Sequence, residues 1–363
     1  MPPPSPDIDR CRRVLVTGGA GFVGANLAIT LRRRHPGWEI SVLDNLRRRG
    51  SELNLARLRD EDIAFVHADV RDAADLDAFG AFDTLVECSA EPSVLAGRNG
   101  SPDYVVRTNL FGAYHCLEIA RRHGADVIFL STSRVYPVAT LESLAYAETA
   151  TRYELRDAQR VAGASSVGIS EALSLDGPRS LYGTTKLAAE LLIAEYRETY
   201  GLHAVVNRCG VIAGPWQFGK ADQGVFTYWM LAHVFDRPLR YIGYGGTGKQ
   251  VRDLLHVDDL VELLDEQIAD LERWDGMTVN VGGGRAGSLS LIETTELCRE
   301  LSGRRVEVTA SDESRPGDVR IYLSDCASLF EHTDWRPTHS PRDVLADTLN
   351  WISDNERAVL AAL

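Results

Sequence analysis

Val14-Leu15-Val16-Thr17-Gly18-Gly19-Ala20-Gly21-Phe22-Val23-Gly24 decides how this chain is read. Three apolar residues make a short strand, the glycines turn the chain, and a helical pattern follows over 26–34. Both G-x-x-G-x-x-G (Gly18, Gly21, Gly24) and G-x-G-x-x-G (Gly19, Gly21, Gly24) are present. Glycine is needed there because the turn is tight, the backbone must approach a pyrophosphate, and the helix must pack closely on the strand. Unpaired N–H groups at the positive end of that helix, around Phe22 and Val23, then face the phosphates.

A second apolar run, 40–43, ends in Asp44, twenty residues after Gly24. A carboxylate at that point accepts hydrogen bonds from the adenosine ribose hydroxyls and repels a 2′-phosphate, so it selects NAD over NADP. Arg47, Arg48 and Arg49 follow and pull the other way. Asp69, after the third run, reads either as an adenine contact or as an ordinary turn aspartate.

Further short apolar runs at 64–66, 84–86 and 127–130 alternate with helical patterns over 51–58 and 105–122. Such alternation means strands buried on both faces of a parallel sheet with right-handed crossovers. The expected fold is therefore α/β: a Rossmann doubly wound parallel sheet with a smaller, discontinuous α+β substrate lobe. The segment 141–179 breaks the rhythm and reads as an active-site excursion. Helix returns over 180–200 and a sheet strand over 203–207. Residues 210–248 carry Trp216, Phe218, Phe226, Tyr228, Trp229, Tyr241 and Tyr244, a composition suited to a lobe built around a ligand. Helices are expected over 289–301 and from 334 onward. The organisation read from this is a disordered tail over 1–10, where Pro2, Pro3, Pro4 and Pro6 crowd, and a cofactor domain of 11–208 plus about 252–281. The lobe would take about 209–251 plus 282–363.

Bulk properties narrow the partners. The 363 residues carry a formal net charge of −13, which argues against nucleic acid or an anionic membrane. No apolar run approaches the ~20 residues needed to span a bilayer, and the start lacks the apolar core of a secretory signal. Cys11, Cys88, Cys116, Cys209, Cys298 and Cys326 are scattered without a CxxC pair or a histidine cluster at zinc spacing, so free thiols, a cytoplasmic setting and no metal are expected.

Tyr182-Gly183-Thr184-Thr185-Lys186 opens a long helix, and its i, i+4 spacing sets phenol and ammonium on one face. A free tyrosine is too weakly acidic to act as a base at neutral pH. A neighbouring lysine and a positively charged nicotinamide both favour the phenolate, which makes Tyr182 a base for a sugar hydroxyl. A hydroxyl partner is expected at the carboxyl end of the run 127–130, where Ser131, Thr132 and Ser133 follow. Thr132 is the first choice and Ser133 the second.

These motifs together (TGGAGFVG, LDNL, ADVRD, LSTSRVYP, SLYGTTK and VRDLLHVDDL) resemble the extended short-chain dehydrogenase/reductase family of NAD-dependent sugar-nucleotide epimerases and dehydratases. The likeness runs from about residue 14 to about 351. Within the family, DNLRRRGSELNL, ETATRY, the insert 141–179, WQFGKADQGVF, GGTGKQVRDLLHVDDL and NVGGGRAGSLSL are most similar to the CDP-paratose (CDP-tyvelose) 2-epimerase subfamily. The resemblance implies a Thr132–Tyr182–Lys186 triad, with Asn109 as a structural asparagine. Ser89, Ala90 and Glu91 would line the cofactor, Cys209, Gly210 and Val211 would pass the nicotinamide, and Asn45 and Val70 complete the cofactor set. Arg252 and Arg315 would grip a nucleotide diphosphate with Asp318 near its ribose and Gln217 in the substrate pocket, fitting the forked donors a diphosphate prefers.

Two departures carry weight. Ala213-Gly214 replaces the family's tyrosine-glycine, and Ser133-Arg134 stands where dehydratases carry an acidic pair. The expected activity is epimerisation of a nucleotide sugar at C2, with a CDP-sugar favoured and a homodimer packed through 105–122 and 180–200. The alternatives are a 4-epimerase, a 4,6-dehydratase and a non-catalytic dinucleotide-binding regulator.

Overall fold

The computed structural model describes residues 11–98, 100–220, 223–311, 313 and 315–363; the proline-rich start lies outside them. Seven parallel strands form the central sheet: β1 (Arg13–Thr17), β2 (Glu39–Asp44), β3 (Ala64–His67), β4 (Thr84–Glu87), β5 (Asp126–Thr132), β6 (Ala204–Cys209) and β7 (Thr278–Val281). Their order is β7-β6-β5-β4-β1-β2-β3, so the chain reverses its winding between β1 and β4, beside the glycine turn. The doubly wound parallel sheet is as the apolar runs predict. Helices α1 (Phe22–Arg34), α2 (Gly112–His123), α3 (Leu181–Tyr200), α4 (Val225–Val234), α5 (Val257–Ala269), α6 (Leu291–Ser302) and α7 (Pro341–Asp354) pack on the sheet or beside it.

One face of the sheet buries Val14, Val16 and Ile128 against Leu27 and Leu31 of α1 and Leu260 and Leu264 of α5. The other buries Leu15, Leu85 and Phe129 against Leu117 of α2 and Ile193 of α3. A separate cluster joins Trp229 and Met230 of α4 to Cys298 of α6 and Leu345 and Ile352 of α7. There, Val251–His256 pairs with Val211–Ala213, Ser288–Ser290 and Ile321–Tyr322.

The helix expected over 105–122 is interrupted. Asp103–Val106 is α-helical, Arg107–Phe111 widens into a π-turn, and α2 follows. Such turns recur at functional sites, and this one carries Asn109. The segment 141–179 is a correction. It does not line the cavity described below but folds into a hairpin of Tyr146–Glu148 and Tyr153–Leu155. Its Tyr153, Leu155, Ile169 and Leu173 are buried in one cluster with Val251 and Val319, so apolar packing, hidden by the Gly/Ser/Ala-rich composition, fixes the segment against the chain neighbours of Arg252 and Asp318.

Candidate active site

A cavity of about 930 Å³ opens at the carboxyl ends of β1, β4, β5 and β6 and runs into the α4–α6 cluster. This is where open parallel sheets bind ligands. Gly18, Gly21, Phe22, Val23 and Gly24 form one wall. A Cβ on Gly24 would lie 2.4 Å from the Gly18 carbonyl oxygen, and one on Gly18, whose φ is +62°, would lie 2.9 Å from Cys88 O. Larger residues would break the turn. Gly21 caps α1 in extended conformation with no side-chain cap, and the first turn holds no acid, so its N–H groups are left for an anion. The residues present therefore fit a pyrophosphate.

Asp44 lies beside that wall. Its Oδ2 accepts from Ala20 N at 3.2 Å and its Oδ1 from Leu46 N at 2.7 Å. Burial raises its carboxyl and the backbone donors oppose that. Asn45, Val70, Ser89, Ala90, Glu91, Cys209, Gly210 and Val211 also line the cavity. Two expected cofactor residues do not. Asp69 stands outside, clasped by Arg71 (2.6 Å) and Asn45 (2.9 Å). Burial opposes the effect, but these donors hold its carboxyl down at about 2. Asn109 braces the β4 loop from behind, accepting from Glu91 N at 2.8 Å and donating to Glu91 O at 3.0 Å.

At the centre, Tyr182 opens to the cavity from the first turn of α3, which Ser180 caps by accepting from Gly183 N. Burial pushes the phenol up, while Lys186 and a hydrogen bond with Thr132 pull it down. Thr132 Oγ1 accepts from Arg134 N at 3.2 Å, which leaves its own O–H for the phenol. Ser133 lines the cavity next to it. Lys186 Nζ donates to Glu87 Oε2 at 3.1 Å.

On the far side, Arg252 donates to Asp318 Oδ1 at 2.6 Å, and both line the cavity with Arg315 and Gln217. Among the aromatic residues, Phe226, Tyr228 and Trp229 face it, whereas Trp216 and Phe218 pack on Trp351 instead. Sequence reasoning missed Tyr104, under the guanidinium of Arg47 at 3.9 Å. It read Arg134 only as a departure after Thr132 and assigned it no contact. That side chain lines the cavity and donates to Gly317 O at 3.0 Å. Burial, helped by the charge of Arg252, pushes it down to about 10. An arginine two residues past the candidate hydroxyl Thr132 was the available signal.

The model of the NAD dependent epimerase/dehydratase family matches residues 14–282. The chain belongs to that family. It is thus an NAD-dependent enzyme of the sugar-nucleotide epimerase/dehydratase kind, and its cofactor is NAD. The chain is 30% identical to the CDP-paratose 2-epimerase of Salmonella typhi over 356 residues, covering 94% of this chain and 99% of that protein. It is 29% identical to the dTDP-glucose 4,6-dehydratase of Mycobacterium tuberculosis, covering 95% and 94%. Among solved structures, the UDP-glucose 4-epimerase of Thermus thermophilus in complex with NAD superposes with a TM-score of 0.73 at 25% identity, covering 94% of this chain and 99% of that one. Among the described residues no helix is long and apolar enough to cross a membrane.

Proposed function

We propose that the chain epimerises a nucleotide sugar at C2, a CDP-hexose or CDP-deoxyhexose being the substrate, through a transient keto-sugar. In this reading Tyr182 takes the proton from a ring hydroxyl, Thr132 hydrogen-bonds the reacting oxygen, and Lys186 favours the phenolate. NAD, when bound, accepts the hydride and returns it. The cofactor would lie along the glycine turn, Asp44 and the β4 loop. Arg252 and Arg315 would hold the diphosphate, with Asp318 and Gln217 beside it, and Tyr182 returns the proton after the keto-sugar turns over in the pocket. The cofactor unit is then 11–208 with about 252–281, and the substrate lobe the remainder of the described chain.

The observation that carries epimerisation over dehydration is Arg134. Eliminating water needs an acid and a base close to the sugar, and here Thr132 is followed by Ser133 and a guanidinium. The acids lining the cavity among the described residues are Asp44, Glu91 and Asp318, none of which follows Thr132. The choice of C2 is supported by the likeness to the CDP-paratose 2-epimerase. Incubation with a set of CDP- and UDP-hexoses, followed by product NMR, is expected to give inversion at C2 with no change in mass. Inversion at C4 would overturn the position, and loss of one water would overturn epimerisation.

A homodimer belongs to the same reading. Phe111, Tyr114 and Leu191 are 49%, 41% and 63% exposed and line one apolar groove with Leu110, Ala188 and Leu192. Burying this face against a second copy removes apolar surface from water. The wild type is expected at twice the 40.0 kDa chain mass in sedimentation equilibrium, and Leu191→Asp at the single mass; a wild type already monomeric would sink this. A cytoplasmic location is proposed from the six unpaired cysteines.

A further inference from the structure

Lys186 has a buried counter-ion of its own. The Lys186 and Glu87 side chains are 3% and 2% exposed and meet at 3.1 Å. Glu87 ends β4, in the middle of the sheet between β1 and β5, and every residue of that strand is buried. A carboxylate there is costly unless it is paired. The ammonium also lies 4.2 Å from the ring centroid of Phe129 on β5, so it is held from two strands. Burial pushes the Glu87 carboxyl up, and the charge and hydrogen bond of Lys186 pull it back.

The geometry points to Glu87 as a positioning residue for the proton-transfer step: it anchors the Lys186 ammonium in the cavity floor and offsets part of the positive charge that reaches the Tyr182 phenol. This inference rests on Tyr182 being the base. At the phenol, an ammonium alone favours ionisation, whereas an ammonium paired with a carboxylate at 3.1 Å is closer to a dipole and favours it less. The other groups facing the trio come from each neighbouring element. Thr132 from β5 and Arg134 beyond it stabilise the phenolate, and Cys209 of β6 lies within electrostatic reach of it. Cys88 follows Glu87, and Cys116 of α2 lies within electrostatic reach of both Glu87 and Lys186. Burial raises all three thiols, so they stay neutral and Glu87 supplies the negative charge in this set.

Glu87→Gln keeps the size and an oxygen acceptor for Lys186 while removing the charge. In NAD-loaded enzyme, the acidic limb of the kcat–pH profile is expected to move down by about one pH unit. Ultraviolet difference titration of the phenolate, with Tyr182→Phe as the blank, should move the same way and does not depend on turnover. Glu87→Asp withdraws the charge by one methylene and should give a smaller shift in the same direction; it carries the test if E87Q does not fold. Profiles and titrations that superimpose on wild type, or move upward, overturn the inference. Wild-type turnover in Y182F would instead overturn the assignment of the base, which separates the two failures.

Discussion

Tyr182→Phe is expected to lower kcat by about 10²–10⁴-fold, the usual worth of a positioned acid–base group, with NAD still bound. The substitution keeps the ring and removes one oxygen. Lys186 does not depend on that oxygen for a partner, since Glu87 holds it at 3.1 Å, so the floor of the cavity should stand. The glycine turn and Asp44 are untouched, which predicts wild-type NAD content after purification. The KM for the nucleotide sugar should change little, because an interaction used only in the transition state lowers kcat and kcat/KM together. Steady-state kinetics and quantification of released cofactor check both parts. A variant that turns over within tenfold of wild type would move the base elsewhere, and one that purifies without NAD would make Tyr182 a binding group first.

The order of strands and helices was legible because it is written in local pattern. The run 14–16, the glycines and Asp44 each need only their own neighbours to be read, and the structure puts Gly18, Gly24 and Asp44 on one wall of the cavity. The pair Tyr182 and Lys186 was legible for the same reason, since helical spacing alone puts them on one face. What stayed hidden depends on contacts far apart in sequence. Glu87 and Lys186 are 99 residues apart and meet only because β4 lies between β1 and β5. A charged residue ending the apolar run Leu85-Val86 was visible, but nothing local says what it pairs with. Asp69 shows the reverse case. Its position after the third strand left an adenine contact and an ordinary turn aspartate both open, and Arg71, two residues away, takes its carboxylate. The insert 141–179 misled because its burial comes from six scattered apolar residues (Leu141, Leu144, Tyr153, Leu155, Ile169 and Leu173) that share a cluster with Val251 and Val319, not from a periodic face.

A second buried ion pair holds this site still. Arg208 on β6 donates to Glu190 of α3 at 2.7 Å, with both side chains 7% exposed. Glu190 follows Lys186 by one turn and accepts from Ser131 Oγ, the residue before Thr132. Arg208 reaches on to Tyr136 OH at 3.3 Å, which donates to Asn280 Oδ1 at 2.8 Å on β7. Burial opposes the Arg208 charge, but Glu190 outweighs it and raises the guanidinium above its ordinary value. Arg208→Met leaves the Glu190 carboxylate inside the protein without its cation and should cost about 3–5 kcal/mol of unfolding free energy. That is a large share of the roughly 5–15 kcal/mol holding a typical domain folded, so the urea midpoint should fall sharply. The double variant Glu190→Leu/Arg208→Met removes both charges and should recover most of the loss, because the desolvation penalty of a buried pair offsets much of its attraction. Recovery of stability without recovery of kcat would separate the two roles of the pair: Ser131 loses its anchor in the double variant, and the Thr132 hydroxyl then has less to hold it against Tyr182. A single variant as stable as wild type would show that water reaches this pair and that the sheet does not rely on it.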